Sequence, residues 1–538
     1  MGQKVTVSGW YSNTNMRTKR KFLALVATIA VGSSLALVPG HGGAQPAATP
    51  VEAALQSVAD KSTLATLKRF YAARGNQPAW YDPRGLTADG RAAIAVLSRV
   101  SEEGLDPSRY RLADLTRPPA TTNPAELADR DLAFSIALFR FANDMLDGRP
   151  DLRTIDRDID LPVSGFDIPG GADRALREHR IGEFLAGLEP RVPQYAPLKA
   201  ALAAYRAIAE KGGWPAIAAR KKFTAASADP ATYAELQARL GAEDPALAGA
   251  APVAVEEMDA AIRRFQARTG LDPDGAVGPG TVAALNISAS DRASQIAANL
   301  ERLRWLPHAF EKSYVTVNVP DATLAVVDNG GTILTSRVIV GRPHDRTPIF
   351  RAEITGIVAN PPWIVPAVIA QREIAPKAAA DPGYLARHHM IVGNGQYRQL
   401  PGKDNALGYL KLDVSDRFSV YLHDTPSRGL FARHERFLSH GCIRVQQIRP
   451  LASYALSGDL DAGADRLNAA IATNVTTRLA VKVPLPVYVV YFTAFAAADG
   501  LQFRPDVYGR DRRLIAAMSG STSFAQAFPT VGGCKHTA

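Results

Sequence analysis

Cysteine is nearly absent from this chain: two in 538 residues, at positions 442 and 534. At most one disulfide is therefore available, and it would block Cys442, so both thiols are expected to be free. Long apolar runs are missing as well. Only residues 22–38 approach spanning length, and Thr28, Gly32, Ser33 and Ser34 interrupt them; no later stretch is apolar for long enough to cross a bilayer. Strong charge of one sign is lacking too. The formal +10 falls to +5 once the five Lys/Arg of residues 1–44, which hold no acid, are set aside. That is weak support for a nucleic-acid partner, and none is expected.

What is present begins with a basic run, Arg17, Lys19, Arg20 and Lys21, followed by the apolar stretch and by Gly42-Gly43-Ala44 before Gln45. Residues 1–44 read as a secretory signal peptide, with Met16 the better-formed start. An uncleaved membrane anchor is the alternative. The expected location is the periplasm, with inner-membrane attachment only in that second case.

The chemistry concentrates in residues 420–445. Tyr421-Leu422-His423-Asp424 opens the block and Ser439-His440-Gly441-Cys442-Ile443-Arg444-Val445 closes it. A cysteine attacks as its thiolate, and an imidazole that shares the proton raises that population. His423 lies nineteen positions before Cys442, so the two must meet through the fold. Residues 419–422 read as a strand ending at His423, and Cys442 as the start of the next element. Adjacent strand ends would place the side chains within hydrogen-bond reach. Gly441 lets the backbone pass close to a substrate, so that the amides of His440, Gly441 and Cys442 can point at a developing oxyanion. Two other readings remain: a small buried hydrophobic cysteine, or a zinc site from His423, His440 and Cys442, for which no fourth ligand is evident.

This block resembles the active-site motif of the L,D-transpeptidases, the family with a YkuD-type catalytic domain. The resemblance implies Cys442 as nucleophile, His423 as general base, and Ser439, His440 and Gly441 as the surrounding motif and oxyanion loop. It also implies Arg444, Tyr421 and Trp363 as substrate-binding residues. Gly341-Arg342-Pro343, Thr347-Pro348-Ile349-Phe350 and residues 360–366 (Asn-Pro-Pro-Trp-Ile-Val-Pro) recur in the same family. The implied reaction is 3-3 crosslinking of peptidoglycan. A tetrapeptide stem acylates the cysteine and loses its terminal D-Ala, and a second stem's amine resolves the thioester. No metal or organic cofactor is called for, the partners are donor and acceptor stem peptides, and carbapenem-type β-lactams are the implied inhibitors. An L,D-carboxypeptidase sharing the acyl-enzyme and a non-catalytic wall-binding protein are the rival readings.

The rest of the chain fits a multidomain α+β organisation: helical scaffold, small helical peptidoglycan-binding module, then a mainly β catalytic domain with a lid. Residues 51–230 show helical periodicity with turn signals. Phe70-Tyr71 with Pro78-Ala79-Trp80, and Glu103-Gly104-Leu105-Asp106-Pro107 before Tyr110, resemble the scaffold of the large L,D-transpeptidases. Those aromatic residues are read as core. Residues 231–290 resemble a peptidoglycan-binding domain through Phe265-Gln266, Asp274-Gly275 and Val277-Gly278-Pro279, although such a module can also serve as a spacer. An amphipathic linker helix is expected within 291–310. From Tyr314 the period becomes two, with a hairpin at Asp328-Asn329-Gly330-Gly331, so the catalytic domain is placed at 311–490. Within it, residues 369–410 lose sheet periodicity and suggest a lid. The adjacent His388 and His389 read as a solvated loop. Residues 491–538 form a C-terminal extension whose signature, 503–511, resembles that of the same subgroup; the tail beyond Leu514 is expected to be disordered.

Overall fold

The computed structural model describes residues 48–118, 122–149, 152–218, 221–249 and 251–519. The signal-peptide reading of 1–44, the start at Met16, Cys534 and the tail beyond residue 519 lie outside the described residues. Among those described, no helix is long and apolar enough to cross a membrane.

The N-terminal part is helical because apolar residues recur at helical spacing and Asn, Asp and Thr caps start the helices; the longest, Pro124–Leu146, is capped by Asn123. Its aromatic residues are core. Trp80 stacks on Phe134 at 4.8 Å and on Phe70 at 6.1 Å. Buried Asp131 explains the Phe70-Tyr71 and Pro78-Ala79-Trp80 signatures. It accepts from the Tyr71 hydroxyl at 2.6 Å and from the amides of Ala79, Trp80 and Tyr81, so it closes a turn that water cannot reach. The region is not purely helical: Ile159–Asp160 leaves it to pair with the catalytic sheet.

In the small module, helices Pro230–Gly241, Val255–Arg268 and Pro279–Leu285 surround a core of Leu236, Ile262, Phe265 and Leu285. The Gln266 side chain accepts from the Gly275 amide and donates to Asp274 and to the Ala276 carbonyl. These signature residues therefore build the loop at 270–275 and expose little for a ligand.

The helix expected as an amphipathic linker spans Ala289–Arg304, and it has no solvated face. Arg292, Gln295, Asn299, Glu301, Arg302 and Arg304 are all buried. On one side Arg304 bonds Glu301 at 2.9 Å, the Tyr195 hydroxyl and the Glu103 carbonyl. On the other, Arg302 meets Asp511 at 2.5 Å and Asn299 meets Thr493 at 2.8 Å. Sequence periodicity marks which positions are polar, not whether water or protein satisfies them, and here both sides are protein.

The catalytic sheet follows from Val- and Ile-rich alternation. Its strands are β1 (Ser313–Asn318), β2 (Thr323–Asp328), β3 (Gly331–Gly341), β4 (Ile349–Ala359), β5 (Leu410–Val414), β6 (Leu422–His423), β7 (Ile443–Val445) and β8 (Thr477–Val490). The spatial order is β5-β6-β7-β3-β2-β1-β8-β4, and β4 also pairs with β5, which closes the sheet on itself. The β2–β3 hairpin is the expected one, with Asn329 and Gly330 both at positive φ. The long helices Ile448–Ser457 and Ala464–Ala472 cover one part of it.

Residues 369–410 depart from the expectation of fading regularity. They hold short helices and the strands Met390–Gly393 and Gln396–Gln399, which make a three-stranded sheet with Trp363–Ile364. Val365, Ala370, Ile374 and Met390 give this insertion its own small core. Its strands are four residues or shorter, too brief to show a period in sequence. The C-terminal segment also differs: Leu514 and Ile515 are buried and the helix Arg510–Ser519 continues past the expected start of the tail.

Candidate active site

β6 and β7 are parallel neighbours, with Leu422 opposite Ile443 and His423 opposite Arg444. One step back along the register, Tyr421 lies opposite Cys442, and the Ile443 amide donates to the Tyr421 carbonyl at 3.1 Å. Period-two alternation puts Tyr421 and His423 on the face that carries Cys442 and Arg444. The structure thus gathers these four residues, with His423 two positions along the register from the residue opposite the thiol.

Tyr421 lies beside the thiol and draws its pKa down against burial. Trp363, from the edge of the insertion, lies beside the Tyr421 side chain. The Tyr421 and His423 rings meet edge to face at 5.5 Å. His423 is buried, and its Nδ1 has no hydrogen-bond partner among the described residues. Among the described residues no hydrogen bond between the His423 imidazole and the Cys442 thiol is formed in this arrangement. Burial, then the Arg444 charge, takes the imidazole pKa down to about 3. Burial likewise pushes the Cys442 thiol above its ordinary value, against the pull of Tyr421. Both groups are neutral near pH 7, so this is no resting thiolate–imidazolium pair.

The loop before the cysteine is held from beneath. Ser439 Oγ donates to the Cys442 carbonyl at 2.6 Å and accepts from the Gly441 amide at 3.2 Å. The Gly441 amide therefore points into the loop, away from a bound oxyanion. Among the described residues the amides of His440 and Cys442 have no acceptor within the fold. Gly441 has φ +110°, a conformation that favours glycine. Its carbonyl accepts from Thr347 Oγ1 at 2.8 Å, and that oxygen accepts from the Gly341 amide at 2.9 Å. Tyr508 completes the support with a 2.5 Å bond to the Gly341 carbonyl. At Gly341 a Cβ would lie 2.1 Å from the Asp345 carbonyl oxygen, so only glycine fits. The sequence marked Gly341, Thr347 and Tyr508 as parts of signatures without a role; in the structure they buttress the loop that carries Cys442.

Arg444 is half-buried and has no carboxylate partner among the described residues. His440 pairs with Glu373 of the insertion at 2.5 Å. Sequence reasoning missed Glu373; the available signal was that it is the one acidic residue between positions 366 and 380. No cluster of His, Cys, Asp and Glu capable of holding a metal occurs among the described residues.

Comparison with known proteins matches three parts of the chain: a scaffold domain over residues 65–202, a domain described as "Putative peptidoglycan binding domain" over 234–285, and an L,D-transpeptidase catalytic domain over 312–476. The chain therefore carries a region that matches the L,D-transpeptidase catalytic domain, together with regions that match a scaffold domain and a peptidoglycan-binding domain. A Haemophilus influenzae protein named "Putative L,D-transpeptidase" is 34% identical over 251 residues, 42% of this chain and 50% of that protein. The chain thus spans half the length of this curated relative. Among solved structures, LD transpeptidase LdtMt1 in complex with imipenem is 14% identical, with a TM-score of 0.19, over 33% of this chain and 59% of that one. An L,D-transpeptidase from Mycobacterium smegmatis is 14% identical, with a TM-score of 0.18, over 33% and 58%.

Proposed function

We propose that the chain forms 3-3 peptidoglycan crosslinks through an acyl-enzyme on Cys442. The observation that carries this is the juxtaposition of Cys442, Tyr421, His423 and Arg444 on one face of two parallel strands, within a region that matches the L,D-transpeptidase catalytic domain. His423 accepts the thiol proton as sulfur bonds to the carbonyl carbon of the L-centre to D-centre amide. The C–N bond then breaks, and D-Ala leaves as the amine after His423 returns the proton. A second stem's amine attacks the thioester, forms the crosslink and gives its proton back to the site. Tyr421 holds the sulfur, and Arg444, free of an ion pair, clamps a stem carboxylate. The free amides of His440 and Cys442 receive the oxyanion.

The cavity of 520 Å³ in the small module, lined by Ala225, Pro230, Tyr233, Gln237 and Pro252 among others, supports wall binding there. Such a wall substrate puts the working enzyme outside the cytoplasm. A carbapenem is expected to acylate Cys442, as the match of residues 312–476 to the L,D-transpeptidase catalytic domain implies.

The test is mass spectrometry of the chain incubated with disaccharide-tetrapeptide, wild type against Cys442→Ala. A dimer of two stems less one D-Ala, absent from the variant, supports transpeptidation. Tripeptide alone turns the assignment to a carboxypeptidase, and no Cys442-dependent product removes both.

A further inference from the structure

One carboxylate of the insertion reaches the loop that carries Cys442. Glu373 stands on a π-turn, Ala370–Ile374, a distortion common at functional positions. Its Oε1 meets His440 Nε2 at 2.5 Å and an Arg342 Nη at 3.4 Å, an arginine that also bonds Asp345 at 2.8 Å. Neither residue is a passive wall. His440 is two residues before the nucleophile, and the Arg342 amide donates to the Ser439 carbonyl at 2.9 Å. Burial works against a charged Glu373, yet His440 and Arg342 outweigh it and hold the carboxyl below its usual range. Beside the pair opens a cavity of 250 Å³ to which Arg342, His344, Asp345, Arg372, Glu373 and His440 contribute. Glu373 is thus a carboxylate seated on His440 and Arg342 at the rim of that cavity and carried by the insertion.

We propose that Arg342 and His440 form a carboxylate-binding subsite, that Glu373 fills it in the substrate-free chain, and that a peptide carboxylate displaces Glu373 and releases the insertion from the nucleophile loop. Exchange of one carboxylate for another keeps the charge-assisted bonds, so displacement needs little more than the difference between the two acids. The subsite itself rests only on geometry; that its ligand is a stem peptide rests on the function proposed above. Two stem carboxylates share the required chemistry, the donor's terminal one and that of the acceptor's diamino acid.

Alkylation of Cys442 in the full chain reads the subsite without transpeptidation. Iodoacetate and iodoacetamide differ by one carboxylate, so the ratio of their rates reports the local cations, while iodoacetamide alone reports thiol ionisation. Glu373→Gln should raise that ratio about tenfold, and Arg342→Gln should bring it below wild type. Equal ratios in the three proteins would overturn the subsite; if Arg342→Gln does not fold, Glu373→Gln decides alone. With stem peptides, Glu373→Gln should lower KM about tenfold at constant kcat. Amidation of the donor's or of the acceptor's carboxylate should abolish that gain and so name the occupant; a gain that survives both amidations would overturn displacement by substrate. A shifted alkylation ratio in a chain that turns over no stem peptide would leave the subsite standing and remove the proposed function.

Discussion

The buried dyad has a direct consequence for the pH dependence of Cys442. A catalytic cysteine paired with a charged imidazole is ionised well below pH 7, and its alkylation rate is flat across neutrality. Here burial pushes the Cys442 thiol above its ordinary value, and burial with the Arg444 charge holds His423 neutral down to about pH 3. With a thiol pKa no lower than about 8.5, fewer than about 3% of molecules carry thiolate at pH 7. The iodoacetamide rate should then climb about tenfold per pH unit from pH 6 to 8, without a plateau. Stopped alkylation followed by mass mapping of the Cys442 peptide measures it. His423→Gln should leave this slope in place, because the imidazole is not the thiolate's counter-ion at rest, while turnover of stem peptides falls by about 10²–10⁴ through loss of the base. A plateau below pH 7 that disappears in His423→Gln would refute the reasoning and restore a resting ion pair.

Other outcomes follow from the same geometry. The His423 pKa is depressed on folding, so its contribution to stability is present above about pH 6.5 and is lost as pH falls toward 3; wild type should lose about 2 kcal/mol from this site between pH 7 and 5, and His423→Gln should not, as measured by urea unfolding. Gly441→Ala forces a side chain at φ +110° and should cost about 1–3 kcal/mol in thermal unfolding together with most turnover. Thr347→Val removes the hydroxyl shared by Gly341 and Gly441, leaves a buried carbonyl unpaired, and should cost about 1–3 kcal/mol by the same assay. Asp511→Ala strands Arg302 in the interior and should cost about 3–5 kcal/mol, although it lies outside the active site.

Much of this site was legible because its chemistry is local in sequence. Cys442, Gly441 and His423 stand in a motif whose residue types state their roles, and strand alternation predicted that β6 and β7 would carry them. Three things were not legible. The placement of Tyr421 opposite Cys442 depends on register, which a two-residue strand does not announce. The inward turn of the Gly441 amide depends on Ser439 Oγ, a choice between bonds of similar strength. The burial of the Ala289–Arg304 helix depends on partners such as Glu103, Tyr195 and Asp511, which lie about 100 to 200 positions from it in the chain or more. The same holds for Glu373, whose meaning comes from His440 and Arg342, 67 and 31 positions away.

Intact-protein mass spectrometry of the chain mixed with disaccharide-tetrapeptide in the absence of an acceptor tests the central claim most directly. The account predicts an adduct equal to the donor less D-Ala, mapped to the peptide containing Cys442, removed by hydroxylamine and missing from Cys442→Ala. An adduct on another residue, or product release from Cys442→Ala at the wild-type rate, would contradict it.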